Sequence, residues 1–536
     1  MRDPSASVAE SQASKSASFY DSNPGLQVAL RARLRADELH DLEPRLRAFG
    51  EAVAVVVDPA VAEVERRPPT LAPGERVEFD AAYERAGRAV WASGIVGAGA
   101  FEQAALFYLL AHAGEGGHAC PVVCTAGLVR ALRAHAAPEL REHFLPPLLE
   151  TDYEAAQRGA QFLTERHGGS DVGANRVEAL RDDDAWRLRG EKWFCSVADA
   201  DQFVVTARPG GAPEGTRGIG CFLVPRRMDG AVNGFRIRRL KDKLGTRALA
   251  TGEIEFKSAV GYPIGALEDG FRIAAGVVLN TSRWLNALGS TGLMRRAYLE
   301  ASSFARVRRA FGRPIADFPL VRENLAVMKT EEQAALASTL ALTELVACID
   351  AGEATDDDVT AHRLLVNANK FATSLAATAV VRRGIEALGG NGTIEDFSPL
   401  PRLYRDAIVF ESWEGTHNVL CAQVLRDLAR LDAVDLALER VRAVLPDAEE
   451  AEAVETVLRE LEPRLRRSVS DEAFGTLHFR RQLDTLVRGL QAACLLAEGH
   501  EPAAALHARR HLVPGYDPER DPDYPDLLDR VLGDDV

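Results

Sequence analysis

The segment Gln161-Phe-Leu-Thr-Glu-Arg-His-Gly-Gly-Ser-Asp171 marks the point where the chain changes from a helical pattern to a β-strand pattern. Downstream of it, short β-rich or strictly alternating runs are separated by Gly, Asn and Asp. These runs lie at residues 201–207, 218–225, 235–238 and 253–256. Such runs between turn residues are typical of strands. We therefore predict an all-β domain over residues 159–268.

Helical patterns flank this β region on both sides. Residues 101–112 are nearly all apolar, as in a buried helix, and residues 361–388 form a long helical run. We predict an N-terminal helical domain over residues 26–158 and a C-terminal helical bundle over residues 269–430.

The two ends of the chain differ from each other. Residues 1–25 include a Ser/Ala-rich stretch, and we predict a disordered N-terminus there. Residues 431–536 are predicted to form a helical extension, because apolar residues recur at helical spacing. Those residues are Val454, Leu458, Leu461 and Leu465. The order helical, β, helical predicts an α+β fold.

Composition excludes some classes of protein. The 536 residues carry a formal net charge of -15, which disfavours attraction of the whole surface to nucleic acid or anionic lipid. No apolar run approaches the roughly 20 residues that span a bilayer, and the N-terminus lacks the apolar core of a secretory signal. Seven cysteines are scattered, and Cys120 and Cys124 have no second Cys/His pair to complete a zinc site. We expect a cytoplasmic protein with free thiols and no metal site.

Two segments in the β region could line a ligand. Gly168-Gly169 can present backbone N–H groups, and Ser170 a hydroxyl, to an anion or a polar ring edge, although a capped glycine turn explains them as well. The run Gly190-Glu-Lys-Trp-Phe-Cys-Ser196 places two aromatics and a hydroxyl on one strand. These could cover a planar ring or simply pack in a core.

Two further segments lie in the C-terminal helical region. Arg308-Arg-Ala-Phe-Gly312 sets an arginine near an aromatic, which suits a pyrophosphate beside a stacked base or a solvated basic helix end. The second runs from Leu388-Gly-Gly-Asn-Gly392 to Glu411-Ser-Trp-Glu-Gly-Thr-His-Asn-Val419. No GxGxxG follows a strand, so a Rossmann nucleotide site is excluded.

Taken in this order, the four segments resemble the acyl-CoA dehydrogenase family over about residues 99–430. The AidB-type subgroup is the most similar, since it shares the Thr-Glu-basic-x-Gly-Gly-Ser-Asp turn, the Lys-Trp-Phe-x-Ser strand, Leu240-Lys-Asp-Lys-Leu-Gly245 and Trp-Glu-Gly. The resemblance implies a middle β-barrel domain, a C-terminal four-helix bundle with an extra helical segment, and bound FAD. It also implies a homo-oligomer, either a dimer or a tetramer.

The resemblance also assigns residues to ligands. Residues implied at the flavin ring and its ribityl-phosphate are Gln161, Phe162, Leu163, Thr164, Gly169, Ser170, Phe194, Cys195 and Ser196. Residues implied at the rest of the FAD, partly across a subunit boundary, are Arg308, Phe311, Glu386, Gly389, Gly390, Thr416 and Asn418. Ser170 and Arg283 are implied to contact the substrate.

Glu414 matches the catalytic base of the family in its commonest position. A minority of the family carries the base immediately before the equivalent of Arg283, where this chain has Ser282, which cannot serve. Glu411, one turn away, is expected to cap or pair at the helix. A carboxylate in a partly desolvated site can remove the weakly acidic α-proton of a thioester while the flavin N5 accepts the β-hydride. The implied reaction converts an acyl-CoA or carrier-bound acyl thioester to an enoyl thioester.

Departures from the family keep alternatives open. Gln161 stands where many members have an aromatic, and Pro319 and Glu386 replace common glutamines, which questions a mitochondrial-type fatty-acid substrate. One alternative is an AidB-type DNA-associated flavoprotein of the alkylation response with weak dehydrogenase activity. Against it, residues 431–536 contain 23 acidic and 13 basic residues. Another alternative is a specialised biosynthetic flavin oxidase or desaturase. Chain length and electron acceptor stay open.

Overall fold

The computed structural model describes residues 18–183 and 185–533. Its helices, in chain order, are α1 Pro24–Arg31, α2 Ala36–Ala52, α3 Asp58–Val64, α4 Ala81–Ala92, α5 Ala100–Leu110, α6 Ala119–His135, α7 Pro138–Phe144, α8 Gly270–Ile273, α9 Asn280–Val307, α10 Pro319–Ala351, α11 Asp356–Leu388, α12 Leu400–Ser412, α13 His417–Leu431, α14 Val434–Arg442, α15 Ala451–Ser470, α16 Glu472–Ala497, α17 Glu501–His511 and α18 Tyr524–Leu532.

The strands lie mainly between α7 and α8. In chain order they are β1 Thr70–Ala72, β2 Arg76–Glu78, β3 Gly159–Phe162, β4 Glu178–Asp182, β5 Ala185–Ser196, β6 Gln202–Pro209, β7 Gly220–Pro225, β8 Arg227–Met228, β9 Ala231–Val232, β10 Phe235–Leu240, β11 Thr251–Pro263, β12 Arg309–Ala310 and β13 Arg313–Pro314. The predicted helical, β, helical order is confirmed.

Residues 1–17, which make up most of the predicted disordered N-terminus, lie outside the described residues. The rest of that stretch is ordered. Phe19 and Tyr20 are buried, and the side-chain amide of Asn23 donates to the Tyr108 hydroxyl at 2.7 Å. Residues 18–25, which were predicted to belong to the disordered N-terminus, are therefore anchored by aromatic and amide side chains.

The chain divides into two compact units. The first comprises Met1–Glu51, Ala100–Gly114 and Asn286–Val536. The second comprises Ala52–Gly99 and Glu115–Leu285. The chain passes from one unit to the other after residues 51, 99, 114 and 285. Each unit therefore contains pieces that are distant in sequence.

Helix ends in the first unit follow ordinary capping chemistry. Thr355 and Asp358 form a capping box at the start of α11, and Gly352, at a φ of 73°, closes α10 in the left-handed region. The core of this unit takes apolar side chains from α9 to α12 and also from α17 and α18, including Leu506 and Leu527. Part of the C-terminal extension therefore shares one core with the bundle.

The predicted helical extension is confirmed in the remaining C-terminal helices. In α15 the four residues predicted from spacing are all buried: Val454, Leu458, Leu461 and Leu465. Their spacing places them on one face of the helix, as an amphipathic pattern requires.

Two helices of the first unit are long and apolar enough to span a bilayer by length and composition. They lie in Pro319–Ala351 and Asp356–Thr393, and 56% and 83% of their apolar windows are buried inside the protein. Burial of this extent is typical of core helices.

The second unit contains the predicted β-barrel. The strand pairing runs β10-β11-β5-β4-β6-β3, and β7 pairs with both β6 and β11. The hydrogen-bonded path through β11, β5, β4, β6 and β7 therefore closes on itself, as a barrel requires. The parallel pair of β3 and β6 brings Gln161 opposite Val204, so the predicted flavin segment starts from a strand fixed to this sheet.

Candidate functional site

The segment after β3 is tied to β5 by its backbone. The Trp193 amide donates to the Thr164 carbonyl at 2.9 Å. Glu165 and Gly168 exchange amide-to-carbonyl bonds of 3.0 and 3.2 Å, which closes the turn. The two segments predicted separately to line the flavin, residues 161–170 and 194–196, are thus adjacent in the structure.

A buried ion pair between Lys192 and Glu165 holds this turn in place. The Lys192 ammonium donates to the Leu163 carbonyl at 3.0 Å and to Glu165 Oε1 at 2.7 Å. Glu165 also accepts from the Arg176 and Val177 amides at 2.6 and 3.1 Å. Burial lowers the pKa of Lys192, and the Glu165 carboxylate opposes that shift. Sequence reasoning missed this pair, because the lysine and the carboxylate are 27 positions apart.

Strand alternation separates the predicted flavin residues into two faces. Phe194 is 54% exposed and Ser196 is half-buried, whereas Cys195 between them is fully buried. Phe162 is also buried and packs on Phe203 at 4.7 Å between ring centroids. Cys195 and Phe162 can therefore offer a ligand only their backbone.

The Leu240–Leu244 region brings positive charge to the same strand. The Lys241 ammonium lies 3.7 Å from the Trp193 ring centroid and 4.6 Å from that of Phe194. Lys243 donates to the Thr251 hydroxyl at 2.8 Å. Cations over aromatic faces are attracted to them. Lys241 also pairs with Glu253 Oε1 at 2.8 Å, which fixes its ammonium beside the two rings.

At the start of α9, the alternative base position is occupied by a hydroxyl with structural partners. Gln161 Nε2 donates to the Ser282 hydroxyl oxygen at 3.1 Å, and that hydroxyl donates to the Val278 carbonyl at 3.1 Å. Arg283 is 3% exposed and donates to Asn280 Oδ1 at 3.4 Å. Gln161 thus meets the helix that carries Arg283.

In the first unit, Glu414 lies in a strained turn. Helix α12 ends at Ser412 and α13 begins at His417, and between them Glu414 adopts a φ of 57°. A non-glycine residue in this left-handed region costs roughly 1–2 kcal/mol. Its side chain is half-buried. Strain of this kind persists where surrounding contacts impose it, and it clusters at functional sites.

A second buried lysine imposes that turn. The Lys370 ammonium donates to the carbonyl oxygens of Glu411 and Gly415 at 3.1 and 3.0 Å, one on each side of Glu414. Lys370 is fully buried in α11. Sequence reasoning missed it too, since no local motif connects a helical lysine to a turn more than forty residues later.

Glu411 is held by its own partners. The Thr378 hydroxyl donates to Glu411 Oε1, and His417 Nε2 donates to Oε2 at 3.0 Å. Burial would raise the pKa of Glu411, but the hydrogen bonds from His417 and Thr378 and the charge of Lys370 bring the pKa below its ordinary value. This agrees with the expectation that Glu411 pairs at the helix end.

The Arg308 segment forms a small hairpin of β12 and β13. Phe311 stands at its tip with a φ of 51° and 97% of its surface exposed. Arg308 is half-buried next to the hairpin. With almost all of its surface exposed, the Phe311 ring is accessible to a ligand or to another subunit.

The other predicted FAD residues of this unit are exposed. Beyond the open end of α11, a Cβ on Gly389 or Gly390 would meet nothing within 4 Å. The other predicted FAD residues that are exposed are Glu386, Thr416 and Asn418. Thr416 precedes α13 without capping it through its side chain, and Asn418 Oδ1 accepts from Arg480 Nη1 at 3.0 Å. Arg480, in the C-terminal extension, was not predicted here.

Comparison with known proteins gives consistent matches along the chain. Three family models match in order: the Adaptive response protein AidB N-terminal domain at residues 10–155, the acyl-CoA dehydrogenase middle domain at residues 160–259, and the acyl-CoA dehydrogenase C-terminal domain at residues 268–429. Together they cover most of the chain.

Individual relatives agree. Acyl-CoA dehydrogenase family member 11 of Caenorhabditis elegans is 35% identical over 66% of this chain and 60% of the relative. Putative acyl-CoA dehydrogenase AidB of Escherichia coli K12 is 36% identical over 62% of this chain and 61% of the relative. The match thus spans about three fifths of these curated relatives. The crystal structure of Caenorhabditis elegans ACDH-11 in complex with C11-CoA aligns with a TM-score of 0.85 at 28% identity, covering 93% of this chain and 91% of that one.

Proposed function

Because this chain belongs to the acyl-CoA dehydrogenase family, we propose that it is an FAD-dependent oxidoreductase that converts an acyl-CoA to its enoyl thioester. The observation that carries the proposal is Glu414, a half-buried carboxylate in a strained turn that Lys370 clamps from both sides. The strain at Glu414, which Lys370 maintains, is explained if the Glu414 carboxylate must be directed at a reacting carbon.

The residues present fit FAD. The exposed Phe194 ring, with the Lys241 ammonium 4.6 Å from its centroid, suits contact with a flavin ring system. Open backbone at Gly389 and Gly390 allows close approach of a nucleotide. The FAD-holding residues are proposed to be those given by the resemblance, with Phe162 and Cys195 contributing backbone only. Bound FAD would supply the hydride acceptor.

Glu414 acts on the α-carbon in this proposal. Its carboxylate removes the α-proton as a general base. Glu411 already accepts hydrogen bonds on both oxygens, so it is a poor competitor for the proton. Ser282 has no basic group, and its hydroxyl is bonded to Gln161 and Val278. Ser170 and Arg283 are proposed to contact the thioester substrate.

The substrate is proposed to be a medium- or long-chain acyl-CoA. The support is the solved relative in complex with C11-CoA, whose chain aligns with this one over 91% of its length. A homo-oligomer, a dimer or a homotetramer, is proposed because the exposed Phe311 needs a surface to cover it. Cytoplasmic location is supported by seven cysteines that are all free.

DNA binding is not part of the proposal. Two arginines from the local sequence clusters of the C-terminal extension contact other residues of the protein. Arg466 pairs with Asp435 and Glu462, and Arg480 donates to Asn418. Paired arginines offer less net charge for counterion release from a phosphate backbone.

The test is anaerobic reduction of the purified yellow protein with acyl-CoAs of increasing chain length. Bleaching of the flavin band by an acyl-CoA, and none by the free acid with CoA, is the expected result. If dithionite bleaches the flavin and every acyl-CoA leaves it unchanged, the proposed activity is wrong. Oxygen consumption with the same substrates separates a dehydrogenase from an oxidase.

A further inference from the structure

A buried cluster of three potential metal ligands lies where the bundle meets the C-terminal extension within the first unit. Glu331 belongs to α10, and His507 and His511 belong to α17. One ligand atom from each residue lies within 4.8 Å of the other two. The two histidines are four positions apart, so they project from the same face of the helix.

His507 is the least satisfied member of this cluster. Its side chain is fully buried, and within the described part of the chain no hydrogen bond of normal geometry reaches either ring nitrogen. Buried polar atoms are nearly always paired, so two unpaired nitrogens on one ring require an explanation. Burial, with His511 next to it, holds the pKa of His507 well below its ordinary value.

Glu331 is held in a fixed orientation. Oε1 accepts from His511 Nε2 at 2.5 Å, and Oε2 accepts from Arg488 Nη1 at 3.0 Å. Arg488 also donates to Gln491 at 3.0 Å. Burial opposes ionisation of Glu331, but His511 and Arg488 bring its pKa well below the ordinary value. Outer partners of this kind orient a carboxylate that ligates through its other oxygen.

We propose that Glu331, His507 and His511 bind a divalent transition-metal ion, with zinc as the ion that this ligand set fits best. Two imidazole nitrogens and one carboxylate oxygen form a set common in zinc proteins, with a fourth position for water. The half-exposed side of His511 provides access for the ion.

The ion takes the place of the proton shared by Glu331 Oε1 and His511 Nε2. Two atoms on one tetrahedral zinc stand about 3.3 Å apart, so these atoms separate by less than 1 Å from their present 2.5 Å. His507 supplies a third ligand through a ring nitrogen. Arg488 keeps Oε2 and neutralises the carboxylate when no metal is bound.

The role of the ion is structural, because it joins α10 of the bundle to α17 of the extension. The sequence could not indicate this site, since Glu331 and the His507/His511 pair are separated by well over a hundred residues. The inference does not depend on Glu414 or on FAD, so each can fail independently of the other.

The test measures metal content of the untagged holoenzyme after incubation with zinc sulfate and gel filtration. We expect about one zinc per chain in the natural protein and in His500→Gln, a control at the start of the same helix. His507→Gln and His511→Gln are expected to lose it. Removal of zinc with a chelator should lower the Tm of the natural protein, and zinc sulfate should restore it.

Cobalt substitution provides a second reading, because four-coordinate Co²⁺ has intense visible bands that six-coordinate aqueous Co²⁺ lacks. If His507→Gln does not fold, the more exposed His511→Gln gives the same information. Zinc absent after gel filtration, with a Tm that zinc sulfate does not change, would show an ion-pair network only and would overturn the proposal. Equal zinc in His511→Gln and the natural protein would overturn it as well.

Discussion

Two fully buried lysines hold the two segments that carry the candidate site, and they do so differently. Lys192 donates to the Leu163 carbonyl and forms an ion pair with Glu165, so it is part of a core network. Lys370 donates to the carbonyls of Glu411 and Gly415 around a strained residue. The first lysine stabilises an extended segment, whereas the second imposes a conformation that the chain would otherwise avoid. The comparison predicts that Lys192 matters mainly for stability and Lys370 mainly for reaction rate.

The largest stability effect is expected for Lys192→Met. Removing one partner of a buried ion pair leaves the Glu165 carboxylate uncompensated and costs about 3–5 kcal/mol. Urea unfolding measures the loss. The double variant Lys192→Met with Glu165→Gln should recover much of it, because no buried charge remains. A double variant as unstable as the single one would contradict the account of this pair.

Lys370→Met is expected to slow flavin reduction by about 10- to 100-fold, since Glu414 would no longer be held in its reactive orientation. Two buried carbonyls lose a donor, so stability should fall by about 1–3 kcal/mol. Rapid-mixing measurement of the reduction rate and of substrate affinity separates the two effects. Unchanged reduction in a folded, FAD-loaded variant would show that Lys370 has no positioning role.

The backbone strain at Glu414 predicts a smaller difference in stability, between two variants of that residue. Glu414→Gly should be more stable than Glu414→Ala by about 1 kcal/mol, because glycine accepts a φ of 57° without the Cβ penalty. At Arg166, which has no positive φ, Arg166→Ala should be at least as stable as Arg166→Gly. Equal unfolding midpoints for the two Glu414 variants would remove the argument from strain.

The smallest expected effect is on the pH dependence of the free energy of unfolding. The pKa of Glu411 is lower in the folded protein than its ordinary value of 4.5, so its contribution is present above about pH 4.5 and is lost as the pH falls through the folded pKa. Since the side chain is only partly buried, the contribution is below about 1 kcal/mol. The urea midpoints at pH 6 and pH 4 should differ slightly less in Glu411→Gln than in the natural protein, because the variant has no such contribution to lose. An unchanged acid dependence would mean that His417 and Thr378 do not stabilise the carboxylate.

Local motifs were enough to predict the order of helical and β regions. The strands and helices follow from periodicity and caps, and the run from Trp413 to His417 is itself a contiguous signal. The supports of the site were not predictable in this way. Lys192, on a strand, and Lys370, on a helix, meet their partners through tertiary packing. In sequence, a lysine looks the same whether it is solvated or buried.

Burial of individual side chains was only partly readable. Alternation along β5 would have placed Phe194 and Cys195 on opposite faces, so Cys195 could have been assigned a backbone role from the sequence alone. The exposure of Phe311 could not have been predicted from the sequence. Its hairpin lies between two long helices and has no distinct composition.

The central claim is that Glu414, and not its neighbour Glu411, removes the α-proton. The most direct measurement is anaerobic flavin reduction by one saturating acyl-CoA in Glu414→Gln and in Glu411→Gln, each confirmed to retain FAD. The account predicts a rate about 10²- to 10⁴-fold lower in Glu414→Gln and a rate within a few-fold of the natural protein in Glu411→Gln. Normal reduction in Glu414→Gln, or loss of reduction only in Glu411→Gln, would contradict it.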